Sequence, residues 1–112
     1  MNLLFRTNCI LLFILDGTEA GRRIALENDV TEVGNEWGGL QLAGLRPRHC
    51  VIASTEGIVT VTPSSRDADI YVNGQRIYET TILQHGAIIR FGRTYYFRFA
   101  QRGSPTGHFS ER

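Results

Sequence analysis

The run His49-Cys50-Val51-Ile52-Ala53-Ser54-Thr55-Glu56-Gly57-Ile58-Val59-Thr60-Val61-Thr62 decides the fold. Its second half alternates, with Val59 and Val61 pointing one way and Thr60 and Thr62 the other. A period of two belongs to a strand with one buried face. His49 to Ser54 reads as a second strand, and Glu56-Gly57 turns the chain between them. This is sheet, not helix.

The same pattern spreads outward. Downstream, a polar loop at 63–68 leads into Ile70-Tyr71-Val72 and then Asn73-Gly74, the dipeptide that suits a type I′ hairpin because both positions need positive φ. Gln75-Arg76-Ile77 returns, and Thr81-Ile82-Leu83, residues 87–91 and Tyr95-Tyr96-Phe97-Arg98-Phe99 follow, separated by Gln84-His85-Gly86 and Gly92-Arg93. In the last run Tyr95, Phe97 and Phe99 share a face. Upstream, Leu40-Gln41-Leu42, residues 30–33, residues 22–26 and the apolar run 9–15 are strand candidates. Loops at 34–39, carrying Trp37, and at 43–48, carrying Pro47, lie between them. No window of a dozen residues holds a helical period. About ten short strands in a hundred residues imply an all-β sandwich or small barrel.

Composition narrows the function. With 112 residues the chain is one domain, and 42% hydrophobic with 21% charged residues is the balance of a folded chain. Net charge is +1, which weighs against bulk attraction to nucleic acid or membrane. All twelve basic residues are arginine, so lysine Schiff-base chemistry and a Walker-type lysine are excluded. Residues 1–36 carry three arginines against six acids, and residues 37–112 nine against five, a mild basic bias in the later part. The apolar run 9–15 falls far short of the ~20 residues of a membrane span. Arg6 precedes it as in a signal peptide, but Asp16-Gly17-Thr18-Glu19 follows where a cleavage site would stand. A buried strand is the preferred reading over a targeting segment, and no membrane insertion is expected.

Reactive chemistry is sparse. Cys9 and Cys50 are far apart with no C-x-x-C, which supports neither a disulfide framework nor a zinc site. One disulfide stays formally open, but reduced thiols are expected, with Cys50 in the core. The histidines are His49, His85 and His108, and no nucleophile-elbow, metalloprotease or dinucleotide motif accompanies them. Neighbours on a strand face opposite ways, so His49 and Cys50 do not form a dyad. His85 reads as a solvated turn residue. No catalysis, metal or cofactor is expected. An OB-like nucleic-acid barrel is a rival, because residues 95–99 mix aromatics with arginine as stacking platforms do. Alternating aromatics on a late strand more often pack a core.

Val33-Gly34, Leu40-Gln41-Leu42, Arg48-His49-Cys50-Val51-Ile52, residues 57–62 and Tyr71-Val72-Asn73-Gly74 together resemble the forkhead-associated (FHA) domain over about residues 10–100. The resemblance implies an eleven-stranded β-sandwich with phosphothreonine-binding loops at one end, and a motif of G-R, S-x-x-H and N-G-x-x-x-N-G. Within that family, residues 30–34, His49-Cys50, 59–63, Asp67-Ala68, Gly74-Gln75-Arg76-Ile77 and Glu79-Thr80-Thr81 look most like the FHA domains of the junctional scaffolds afadin and canoe, with kinesin-3 FHA domains next.

The carry-over is uneven. Asn35 stands where the family has the arginine after glycine, Arg46 where it has the serine of S-x-x-H, and Ala68 where the first asparagine falls. Gly34, His49, Asn73 and Gly74 are retained, and the resemblance makes them loop-bracing residues. A phosphothreonine dianion needs charge-assisted donors, and the strongest of them are replaced. The main expectation is an interaction module without the usual phosphothreonine pocket. The alternative is a phosphopeptide or acidic-peptide reader using Arg46 and Arg66, with Arg48 nearby. Loops at 34–39, 44–48 and 64–68 would form the contact face, including Asn35, Trp37, Arg46, Arg48, Arg66 and Ala68. Trp37 reads equally as a binding anchor or a core cap. Ser64, Ser65 and Ser104-Pro105 are candidate modification sites. The expected organisation is an atypical segment at 1–8, the domain at 9–100 and a polar tail at 101–112. A monomer is expected, with a protein or peptide ligand, in the cytoplasm at cell–cell junctions.

Overall fold

A computed structural model describes residues 9–36 and 39–102, without the side chains of the two outermost residues. The elements are β1 (Cys9–Ile14), β2 (Arg23–Leu26), β3 (Val30–Gly34), β4 (Leu40–Gln41), β5 (Cys50–Thr55), β6 (Ile58–Pro63), β7 (Ile70–Val72), β8 (Gln75–Arg76), β9 (Thr81–Leu83), β10 (Ile88–Phe91) and β11 (Tyr95–Arg102). They form a six-stranded sheet in the order β2-β1-β11-β10-β7-β8 and a five-stranded sheet in the order β4-β3-β5-β6-β9. The fold is a β-sandwich, not the closed barrel of the rival reading. Pairing is antiparallel throughout except between β3 and β4.

Local chemistry sets the turns. The β5–β6 hairpin closes on Glu56 (φ 51°) and Gly57 (φ 85°), with Thr55 opposite Ile58. Asn73 (φ 52°) and Gly74 (φ 85°) close β7–β8 in the same way. Two consecutive positive φ values match the right-handed twist of the flanking strands.

Alternation fills the space between the sheets. Val59 and Val61 of β6, Ile52 of β5 and Val33 of β3 face Leu12, Ile70, Ile89, Phe91, Phe97 and Phe99 from the other sheet, all of them buried. Each such side chain contributes about 1.5–3 kcal/mol. The 5.7 Å spacing and tilt of Phe91 on Phe97 adds an aromatic contact in the middle. Because Phe97 and Phe99 are buried, the last strand presents no base-stacking platform on that face.

Three details add to the sequence reading. The apolar run 9–15 becomes β1, a central strand between β2 and β11, with Leu12 at its most buried point. The polar tail expected from residue 101 begins later, since β11 continues to Arg102, opposite Cys9. His85 is exposed, yet its Nδ1 accepts the Gln101 N–H at 3.1 Å. The segment 1–8, His108 and Ser104-Pro105 lie outside the described residues. Among the described residues no helix is long and apolar enough to cross a membrane.

Cys50 is buried and unbonded, as expected of a core thiol, and burial pushes its pKa far up. Its folded pKa therefore exceeds the unfolded value of about 8.5, so stability is whole below that pH and declines as pH rises beyond it. In a Cys9→Ser background, a thiol reagent at pH 8 should label the native protein about a hundredfold more slowly than the urea-unfolded chain. Equal labelling rates would place Cys50 outside the core.

Candidate functional site

The loops between β3 and β4 (35–39), β4 and β5 (42–49) and β6 and β7 (64–69) meet at one end of the sandwich. Backbone contacts join them. Asn35 N–H donates to the Arg46 carbonyl at 3.0 Å, and His49 N–H donates to the Val33 carbonyl at 2.7 Å. Ser64 N–H donates to the His49 carbonyl at 3.0 Å. Gly34 is required for this approach, because a Cβ there would lie 1.9 Å from the Pro47 carbonyl oxygen.

His49 is buried, and its Nε2 lies 2.9 Å from the Asp69 carbonyl. A carbonyl only accepts, so Nε2 carries the proton and donates. The ring edge also meets Phe91 at 6.0 Å. The Asp69 carbonyl accepts Gly92 N–H as well, at 2.9 Å. His49 is thus engaged with the backbone of the neighbouring loop and with the core. Asn73 braces a different place. Its N–H donates to the Ile88 carbonyl at 2.7 Å, and its Oδ1 accepts Ile88 N–H at 2.9 Å. These bonds clamp the β7–β8 hairpin to β10, at the end of β7 away from Asp69, and do not touch the three loops.

The charged side chains pair within the site. Arg46 lies 3.7 Å from Asp67, both exposed. Arg76 lies 3.0 Å from Asp69, and it donates to the Arg66 carbonyl at 3.4 Å. The guanidinium groups of Arg66 and Arg76 lie 5.5 Å and 5.2 Å from the centroid of the Tyr78 ring. Arg48 is exposed in the same loop as Arg46 and is engaged in contacts of its own. The three loops and β8 carry Arg46, Arg48, Arg66 and Arg76 against Glu36, Asp67 and Asp69, a net +1.

The structure therefore brings Asn35, Arg46, Arg48 and Arg66 to one end. Ala68, expected on the contact face, is a correction: it is 1% exposed, and its methyl group packs in the core. Trp37 lies outside the described residues. Sequence reasoning missed Asp67, Asp69, Arg76 and Tyr78 as members of the site. The only sequence signal was the alternating Arg66-Asp67-Ala68-Asp69, which names charges but not partners. A cleft beside this end, between the β1–β2 loop, Leu42, Tyr95 and Tyr96, was also not foreseen. Tyr95 closes its floor, donating its hydroxyl to the Ala43 carbonyl at 2.5 Å. Among the described residues no group of His, Cys, Asp or Glu could hold a metal ion.

A two-sheet body with three cross-bonded loops at one end defines a recognition module of the β-sandwich class. The chain belongs to the FHA domain family, whose model matches residues 19–92. It is 36% identical over 80 residues to Kinesin-like protein KIF14 of Homo sapiens, covering 66% of this chain and 5% of that protein. To Kinesin-like protein KIF16B of Mus musculus it is 37% identical over 98 residues, covering 86% of this chain and 7% of that protein. The chain thus spans a small fraction of these curated relatives. The crystal structure of the FHA domain of CT664 protein from Chlamydia trachomatis superposes with a TM-score of 0.71 at 19% identity, covering 82% of this chain and 96% of that one. A structure from work on phosphothreonine-dependent FHA domain interactions gives 0.71 at 20% identity, covering 84% and 97%. At these identities the structures show the shared fold.

Two substitutions test the loop architecture. Gly34→Ala should cost ~3 kcal/mol, because backbone rather than a flexible side chain opposes the new methyl. His49→Ala should cost about 2–3 kcal/mol through the lost inter-sheet bond and ring. Urea unfolding measures both, and changes below about 0.5 kcal/mol, ordinary for surface sites, would contradict the geometry.

Proposed function

We propose that this FHA domain is a non-catalytic protein-interaction module that docks its partner on the three-loop end without the usual phosphothreonine pocket. The observation that carries this reading is the Arg46–Asp67 pair. Arg46 replaces a family donor, and Asp67 already occupies it. A phosphate arriving there meets a fixed carboxylate as well as a guanidinium, and like charges oppose it. Asn35, in place of the family arginine, gives its N–H to the Arg46 carbonyl and brings no charge. The loop end is nearly neutral, so phosphate adds little to binding.

A second reading has its own support. Asp67 and Arg46 are both exposed, and such pairs are worth only about 0–1 kcal/mol. A dianion can displace Asp67 and bridge Arg46 to Arg66, which makes the site a phosphopeptide or acidic-peptide reader. The two readings part in one experiment. A peptide library is bound to the domain before and after phosphatase, with wild type and Asp67→Asn side by side. Phosphate-independent docking predicts ratios within about threefold for wild type and a higher phosphopeptide preference for Asp67→Asn. A wild-type preference above tenfold that Arg46→Ala abolishes would overturn it.

Two parents suit such a module. The residues quoted above favour a junctional scaffold of the afadin type, and the relatives favour a kinesin-like motor. In either, we place the domain in the cytoplasm. Imaging the tagged full-length protein separates them, since a scaffold concentrates at cell–cell contacts and a motor along microtubules.

A further inference from the structure

We propose that Tyr78 is a tyrosine-phosphorylation site whose phosphate is captured by Arg66 and Arg76. The chain has four tyrosines, and the fold treats them differently. Tyr95 gives its hydroxyl to the Ala43 carbonyl. Tyr96 accepts from Arg90 at 3.3 Å, and Tyr71 lies 3.9 Å beneath the Arg90 guanidinium. All three are half-buried in strands, whereas Tyr78 is 49% exposed. Tyr78 also occupies the irregular connection between β8 and β9, which are edge strands of different sheets. A kinase needs an accessible phenol on a segment that can straighten in its cleft, and Tyr78 sits on an exposed bend outside the strands, where straightening does not open the core.

The product would be held where it forms. Two guanidinium groups already lie within about 5.5 Å of the Tyr78 ring. In the transfer, the phenol oxygen bonds to the γ-phosphorus of ATP and the bond to the β–γ bridging oxygen breaks. ADP leaves, and the phenolic proton passes to the kinase's base. The new group carries about −1.5 to −2 charge and takes charge-assisted bonds from planar guanidinium forks. Arg76 then exchanges Asp69 for phosphate, and Arg66 turns inward from the loop end. The net charge of that end passes from +1 to about −1. The modification thus changes what the loop end can bind. That consequence rests on the docking surface proposed above, but capture of the phosphate does not.

Purified domain is incubated with ATP, Mg²⁺ and a panel of tyrosine kinases, and sites are mapped by mass spectrometry. Phosphate is expected on Tyr78, with the other three tyrosines at least about tenfold less modified. The capture is read by ³¹P NMR on domain carrying phosphotyrosine installed at position 78. Its second pKa should fall at least half a unit below the ordinary ~6, and the Arg66→Gln, Arg76→Gln double variant should restore it. No incorporation at Tyr78 from any kinase of the panel overturns the site. A phosphate pKa that ignores the two arginines overturns the capture. Thermal melting of the double variant confirms that it is folded, and if it is not, Arg66→Gln alone serves the same comparison. Failure of loop-end docking in the peptide experiment leaves both readouts unchanged.

Discussion

The carbonyl oxygen of Asp69 ties the two sheets together at the end where the three loops meet. It accepts the His49 ring N–H and the Gly92 backbone N–H, each at 2.9 Å. His49 leads into β5 of one sheet, Asp69 leads into β7 of the other, and Gly92 follows β10. A buried imidazole and a backbone carbonyl therefore meet across the sandwich, each meeting a need that burial would otherwise leave costly. The ring also covers the edge of Phe91, so the polar pin and the apolar core share a boundary. Because the acceptor is backbone, the side chain of residue 69 stays free to pair with Arg76.

That arrangement controls the electrostatics of the loop end. Asp67 and Asp69 bracket Ala68, whose methyl is buried. One reaches Arg46 and the other Arg76. Each exposed pair is weak, but an intramolecular carboxylate is always present, whereas a ligand must arrive by diffusion. On the docking surface proposed above, the self-pairing would therefore bear on selectivity more than on stability, because a ligand must offer more than one negative charge to gain from displacing it. An Arg-rich loop end is not thereby an open anion site. Its free positive charge is what remains after its own acids are counted.

Most of the sandwich was legible in the sequence because strand chemistry is local. Val59-Thr60-Val61-Thr62 declares its buried face by alternation alone, and Asn73-Gly74 declares its turn by the φ values it tolerates. The site was only half legible. Loop membership follows from position between strands, so the sequence shows that Asn35, Arg46, Arg48 and Arg66 belong to loops, and the structure brings those loops to one end. Contact partners do not follow from position. Asp67 stands in a run of mixed charge and Tyr78 between two short strand candidates, and nothing in either stretch shows that they face arginines 21 and 12 residues upstream. Ala68 misled for the same reason. Its place between two aspartates in a polar loop gives no sign that its methyl is 1% exposed and belongs to the core cluster.

A fold of this kind tolerates wide change of sequence, and the physical reason lies in what each part demands. A core strand requires only an apolar group of roughly fitting volume at every second position, which many sequences satisfy. The loop frame requires a few particular atoms: no Cβ at residue 34 and a ring N–H at residue 49. Those residues match the motif of the resemblance, which at residues 35, 46 and 68 this chain does not follow. A scaffold held by so few obligations leaves its display surface free to change partner without cost to folding. In this chain the freed positions have been spent on arginines and aspartates that answer one another.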